Sequence, residues 1–551
     1  MTDLETIRRD RAARFAKWRA EGVYADLSYA DYIREGAARF GDTRVVFHSR
    51  QRPTVTTSVA EMDHDAERLA SSFHRLGLRK GDTLAVMLPT WAETTLAYLA
   101  AYKLGLAVVP IVAIYGAREI GFIVRQTGAK ALIVPDAWRG YDYLGRIEAA
   151  GAMPDLEHLI VVGEKVPDGA TTWGDITAHQ DTDYPHPIAI ADEVALIIYT
   201  SGTTSDPKGV KHTHNTMLCD LNALRAAGAS VGQPVGAGQV AGPNLCVFPA
   251  GHIAGFLAML RPVLYGSETV FMDQWIAEDG VKLIEAHKIT SSVGTPIFLS
   301  SLMKAAEDTG ADISSLQRFG LGASAITPEN VRWTDKLGFP SARVYGMTEH
   351  TVISAGGDES FEKRAYTDGR ITPRNEVRIL DEEDNDVPPG QAGEIASLGP
   401  RLFVGYVDQR LDQDCFLPGG WFKTGDIGRI DEDGYLTITD RKKDIIIRGG
   451  ENISSKEIED ILATMPGIVE SAVTAMPDPV MGERVCAFVV AQPGVAITLD
   501  DVSAHFRGLG VTRQKTPERV IQLDDLPRTP SGKVKKVDLR ATLRTPIEAT
   551  P

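Results

Sequence analysis

Five short stretches concentrate residues able to bind and move charged groups. YTSGTTSDPKGV, Tyr199 to Val210, sets small hydroxyls and glycines between the apolar run ALII and Lys208. Backbone N–H groups and hydroxyls in such a turn can surround a polyphosphate, with Lys208 as a point charge. The P-loop pattern G-x-x-x-x-G-K-[ST] fails here, because Lys208 follows Pro207 and precedes Gly209, which argues against a P-loop kinase or motor ATPase. VYGMTEH, Val344 to His350, gathers an aromatic ring, a flexible glycine, a hydroxyl and a carboxylate. GWFKTGDIG, Gly420 to Gly428, offers a turn-borne acid, Asp426, suited to accepting bonds from ribose hydroxyls. DRKKDIIIRGGENIS, Asp440 to Ser454, and LPRTPSGKVKK, Leu526 to Lys536, carry the remaining clustered cations.

Elements must hold these groups in place. From Thr83 the chain reads TLAVMLP, WAETTLAYLAAYKLG, LAVVPI, REIGFIVRQTG and AKALIV. Short β-rich runs alternate with segments of helical length, the mark of βαβ units and a mainly parallel sheet. The style returns from Glu193 to about Tyr345. After Gly369, short alternating strands with turns such as DEDG predict antiparallel hairpins, a small β subdomain over about 370–440. From Arg441 a βαββαβ order follows, with the S-x-x-E capping pattern at Ser454 and Glu457 opening its first helix. The expected architecture is α/β: a large domain over 1–440, of mainly parallel sheets with helices, and a smaller α+β domain over 441–551.

Bulk properties narrow the partners. Acidic residues outnumber basic ones by 74 to 58, a net charge of −16, which disfavours nucleic acid and anionic membrane as partners of the whole surface. An anionic ligand therefore needs a local site. Cys219, Cys246, Cys415 and Cys486 show no CxxC spacing, so neither a zinc site nor a disulfide framework is indicated, and a reducing cytoplasm fits. No run reaches the ~20 apolar residues needed to span a bilayer. The N-terminal segment, with Phe15 and Trp18 among arginines, reads as a helix packed on the large domain; peripheral membrane contact and a homodimer both stay open. His212 and His214 in KHTHNTM could suggest a metal pair, but no third ligand stands nearby, and a structural role at a helix start is preferred.

The five stretches occur in the order found in the adenylate-forming superfamily of acyl-CoA synthetases, nonribosomal adenylation domains and firefly-type luciferases, which the chain closely resembles over nearly its whole length. The resemblance implies a phosphate-binding loop at Thr200, Ser201, Gly202, Thr203, Thr204 and Lys208, and an adenine pocket at Gly322, Ala323, Ser324 and Tyr345. It places Gly346 and Met347 beside the nucleotide, Thr348 on the α-phosphate and Glu349 as the Mg²⁺ ligand. Asp426 and Arg441 would grip the ribose, and Lys533 would be the adenylation lysine. In this family the small domain rotates between half-reactions, which implies a hinge at Lys443 and a thiol tunnel at Gly449 and Gly450. His252, Ile253, Phe256 and Leu257, with Met347 and Val352, are expected at the acyl pocket, with a buried structural role as the alternative for His252. The chain departs from the family at Ser205, at Ala323–Ser324 and at Ser455, where glycine, Ala-Pro and proline are usual.

The implied activity is ATP- and Mg²⁺-dependent ligation of an apolar carboxylic acid to CoA, through an acyl-adenylate. Fatty, branched, alicyclic and aromatic acids all fit. One rival passes the acyl group to a carrier protein, which the short segment after Lys533 disfavours; the other is a non-catalytic nucleotide sensor, which the joint presence of Lys533, Glu349 and Asp426 disfavours.

Overall fold

The computed structural model describes residues 2–186, 188, 190–200, 207–227, 242–322, 326–357, 359–449, 451–529 and 532–544. TLAVMLP becomes the strand Thr83–Val86, followed by the helix Ala92–Leu104, the strand Ala107–Pro110, the helix Ala117–Thr127 and the strand Ala131–Pro135. Both helices stop at glycines in the left-handed region, Gly105 (φ 76°) and Gly128 (φ 58°), where a side chain would be strained. Every residue of these strands is buried, as expected where helices cover both faces of a parallel sheet.

Two large sheets form the body. One runs Lys208–Thr213, Val194–Thr200, Ala107–Pro110, Thr83–Val86, Ala131–Pro135, His158–Val162, Thr171–Thr172. Its pairs are parallel apart from the hairpin of its first two strands. The other orders Arg318–Leu321, Ser291–Gly294, Asn244–Cys246, Thr269–Met272, Arg44–His48 and Val55–Ser58, parallel except at the last pair. The expected hairpins appear as an antiparallel sheet of Glu376–Leu380, Gly393–Leu398, Phe416–Leu417, Trp421–Ile430 and Leu436–Arg441. DEDG turns its chain at Gly434, φ 81°.

Beyond it, Ile446–Arg448, Ser455–Leu462, Ile468–Asp478, Gly482–Ala491, Leu499–Gly508 and Arg519–Gln522 follow the expected βαββαβ order, with a separate apolar core around Ile446, Ile458, Val473 and Phe506. Ser454 caps the first of these helices, accepting from the Glu457 N–H. A short strand, Glu451–Ile453, and a final helix, Lys536–Arg544, add to that order.

The N-terminal helix Leu4–Ala20 packs on the body as expected. Arg11 donates to the Val404 carbonyl (2.6 Å), Arg14 to that of Phe403 (3.3 Å), and Trp18 is buried beside Val23 and Tyr24. No helix of the described residues is long and apolar enough to cross a membrane.

Candidate active site

The hairpin of Val194–Thr200 and Lys208–Thr213 opposes Thr200 to Lys208, so the first motif leaves and rejoins the sheet at one point. Facing it is the turn after Tyr345. Met347 and His350 exchange backbone bonds of 3.0 and 3.1 Å, and a Cβ on Gly346 would lie 2.3 Å from the Thr351 carbonyl oxygen, so only glycine fits there. His212, at the far end of the hairpin, ties the two together: its Nε2 donates to the Thr348 carbonyl at 2.8 Å, and its Nδ1 lies 3.1 Å from the Thr216 hydroxyl. Burial pushes the His212 pKa down to about 4, which keeps the ring neutral, with one donor and one acceptor.

Two acids stand in this frame. Glu349 is 7% exposed, and the Tyr406 hydroxyl donates to its Oε1 at 2.8 Å. Burial raises the Glu349 pKa, and the Tyr406 bond opposes that. The Lys208 ammonium sits 5.4 Å from the centre of the Tyr406 ring. Asp426, 4% exposed, accepts from the Tyr345 hydroxyl at 2.8 Å and pairs with Arg441 Nε at 3.1 Å. Asp426 and Arg441 are directly opposed where Trp421–Ile430 pairs with Leu436–Arg441, so the antiparallel register itself sets the ion pair.

Lys533 enters from the last part of the chain. Its backbone N–H donates to the Thr529 hydroxyl (3.1 Å) and its carbonyl accepts from the Thr529 N–H (2.7 Å). Gly532, φ 85°, lets this loop lie against Thr295, whose hydroxyl a Cβ would meet at 3.2 Å. Burial, reinforced by the Arg441 cation, pushes the Lys533 pKa down to about 7. His252 caps the helix Ile253–Tyr265, its Nδ1 accepting from the Ala254 N–H at 3.3 Å and its ring stacked on Phe248. Burial, then the Lys533 charge, holds its pKa near about 4.

These groups border one cavity of about 2260 Å³. Thr200, Lys208 and Gly322 line it from the ends of large-sheet strands, and Gly346, Met347, Thr348 and Glu349 from the turn after Val344–Tyr345; Asp426, Arg441, Lys443 and Lys533 line it from the later elements; His252 lines it from its helix. Ser201, Gly202, Thr203, Thr204, Ala323, Ser324 and Gly450 lie outside the described residues.

Three expected residues are placed differently. Phe256 is fully buried against Tyr98 and does not line the cavity. The helix does show Ile253 and Leu257 to the cavity, so of the expected wall on this helix Phe256 alone is turned into the core. Tyr345 is buried and is not among the described lining residues; it reaches the site through its hydroxyl. Gly449, φ 61°, sits outside the cavity at the turn before Glu451, donating to the Met481 carbonyl at 2.8 Å.

His212 and His214 form no metal pair. His214 Nδ1 accepts from the Tyr29 N–H at 3.1 Å, and no group of three or more metal-ligating side chains occurs among the described residues. Tyr406 is the functional candidate that sequence reading missed; its signal was only a tyrosine closing the apolar run RLFVGY.

An α/β body with a small appended unit, meeting around a cavity that holds two buried acids and a depressed-pKa lysine, defines an enzyme class that handles a multiply charged small molecule. The chain belongs to the AMP-binding enzyme family, within the adenylate-forming superfamily: the family profile matches residues 33–407, and the AMP-binding enzyme C-terminal domain matches residues 457–533. It is 34% identical to a medium-chain fatty-acid–CoA ligase of Escherichia coli K12 over 537 residues, 96% of this chain and 92% of the relative. It is 32% identical to a 2-hydroxy-7-methoxy-5-methyl-1-naphthoate–CoA ligase of Streptomyces carzinostaticus over 543 residues, 96% and 95% of the two chains. Among solved structures, ATP-bound MatB from Rhodopseudomonas palustris matches with a TM-score of 0.79 at 27% identity, covering 94% of this chain and 99% of that one.

Proposed function

We propose that the protein activates an apolar carboxylic acid with ATP and passes the acyl group to CoA. The acid's carboxylate oxygen attacks the α-phosphorus, the bond from that phosphorus to the β-bridging oxygen breaks, and pyrophosphate leaves. The CoA sulfur then attacks the acyl carbon of the mixed anhydride, its C–O bond breaks, and AMP leaves with the electron pair. The observation that carries this reading is the convergence on one cavity of the Asp426–Arg441 pair, buried Glu349 and Lys533.

Each group has a physical task. The first step brings an anion against a polyanion, so fixed cations aimed at the developing charge do most of the work. Lys533, neutralised in part by burial and by its cationic neighbours, would regain its proton beside a triphosphate and hold the oxygens of the attack. Lys208, at the mouth of the hairpin loop with Ser201, Gly202, Thr203 and Thr204, takes the β- and γ-phosphates. Asp426 accepts from ribose hydroxyls, kept in place by Tyr345 and Arg441, and Gly322, Ala323 and Ser324 border the base. Thr348 meets the α-phosphate. Glu349, a hard oxygen donor with one oxygen fixed by Tyr406, fits Mg²⁺. Bound there, the ion would supply charge neutralisation between phosphate oxygens. His252, neutral on the cavity wall, borders the acid beside Ile253, Leu257 and Met347.

Residues 1–440 act as the adenylation domain, with the β subdomain at about 370–440, and residues 441–551 as the mobile unit hinged at Lys443. Gly449 and Gly450 turn towards the thiol after rotation. Incubation with ATP, CoA and an acid panel tests the reading: AMP and acyl-CoA should appear together. AMP without acyl-CoA in the presence of CoA would move the reading to another acceptor.

A further inference from the structure

The helix Ile253–Tyr265 starts at His252, whose ring feels the charge of Lys533, and runs along the cavity away from it. Among the residues this helix shows to the cavity, Arg261 alone is charged, set among Leu257, Ala258, Leu260, Leu264 and Tyr265. Nine residues separate His252 from Arg261, a span of ~13 Å along a helix. Arg261 is therefore a cation on the wall of an otherwise apolar stretch, well beyond the reacting groups.

That cation has no anionic partner among the described residues. Its guanidinium carbon lies 5.7 Å from the centre of the Tyr265 ring. Asp220 and Glu268, which also line the cavity, are paired to Arg401 and Arg44. The guanidinium charge reaches into the cavity wall, since it acts on the buried Cys246 thiol there.

The opposite wall gives a second, independent ruler. Asn244, Ser291 and Arg318 stand in register at the N-terminal ends of parallel strands, and all line the cavity. Ser291 donates to Asn244 Oδ1 (2.6 Å), and Asn244 Nδ2 donates to the Ser267 hydroxyl (3.0 Å). Gly322, at the reacting end, lies four residues beyond Arg318, again ~13 Å for extended strand. Between the two ends, this sheet presents Leu245, Cys246, Ser292, Val293, Gly320 and Leu321 to the cavity.

We propose that the acid is an α,ω-dicarboxylic acid, its apolar chain spanning the middle of the cavity and its second carboxylate taken by Arg261. This rests on the acid:CoA ligase reading above. A methyl terminus at that depth would strip water from an unpaired guanidinium and return nothing, whereas a carboxylate gives charge-assisted bonds. The ~13 Å rise from His252 to Arg261 sets the scale of a medium-length chain.

The test is CoA-dependent AMP release with octanedioate, decanedioate and dodecanedioate against octanoate, decanoate and dodecanoate. At least one dioate should exceed the monoacid of equal length in kcat/KM by about tenfold or more. Arg261→Met should reverse the preference, the dioate losing at least tenfold while the monoacid gains; Arg261→Lys should keep part of the dioate preference, which a folding defect would not. Monoacids turned over in preference to dioates by the wild type, or an unchanged preference in folded Arg261→Met, overturns this inference and leaves the ligase reading standing. AMP release from no acid of any class would overturn the ligase reading itself, and this inference with it.

Discussion

Two lysines, both taken out of bulk water, teach opposite lessons. Lys103, its side chain 4% exposed, is held by Asp63 at 2.7 Å and Glu67 at 2.6 Å. The Tyr184 hydroxyl donates to the other Glu67 oxygen at 2.6 Å. Burial works to raise the Glu67 pKa, but the Lys103 and Tyr184 bonds outweigh it and hold it below the ordinary value. That cluster is complete: the ammonium is enclosed by two carboxylates within the protein. Lys533 instead is buried beside Arg441 and Lys443, with Asp426 already engaged by Arg441, and burial first, then the Arg441 charge, brings its pKa down to about 7. A cation left short of anions beside an open cavity is a binding group waiting for one. The difference separates a lysine that holds the fold from one that meets a ligand.

The largest test of this contrast is Lys533→Ala. Acyl-AMP formation from ATP should fall by about two to three orders of magnitude, as when an electrostatic donor to a transition state is removed. Thioester formation from supplied acyl-AMP should be largely spared, and equal loss in both steps would remove the separated role. Stability should respond with a definite sign. The folded pKa of about 7 lies below the unfolded value of ~10.4, so the unfolded chain holds more protons between them and wild-type stability should rise with pH across that window. Urea midpoints of the variant should lose that rise.

Lys103→Met should act the other way round. Stranding Asp63 and Glu67 should cost about 3–5 kcal/mol of stability in urea melts, while kcat per folded molecule stays near wild type. A catalytic defect in fully folded Lys103→Met would break the comparison.

Smaller effects follow at the pair beside Lys533. Asp426→Ala should raise the KM for ATP about tenfold, the scale of a lost bond to a charged group. An ATP dependence identical to wild type would take Asp426 out of the ribose site. Lys533, largely unprotonated at pH 8, should be among the first amines modified by a limiting dose of an acylating reagent, with ATP protecting it; mass spectrometry of the peptide reads both. Lys103, enclosed by its carboxylates, should react late.

Local signals made much of the fold legible. Gly105 and Gly128 stop helices where the sequence punctuates them, Ser454 caps where S-x-x-E stands, and DEDG turns a hairpin. The motif acids and cations were legible for a similar reason: each lies in a short stretch of telling composition. Contacts between distant stretches were not. Tyr406 meets Glu349 across 57 residues, and nothing beside the tyrosine announces the acid. Phe256 and Leu257 are both apolar and adjacent, so only the rotational setting of their helix decides which one faces the cavity.

The bond from His212 to the Thr348 carbonyl joins residues 136 positions apart. Such a link can form only after the chain between them has been organised, and the entropy of closing so long a loop is lost before the bond returns anything. The hairpin and the turn that face each other across the cavity should therefore come together late in folding. A partly folded chain, its parallel sheet already formed, would carry every motif and yet have no site.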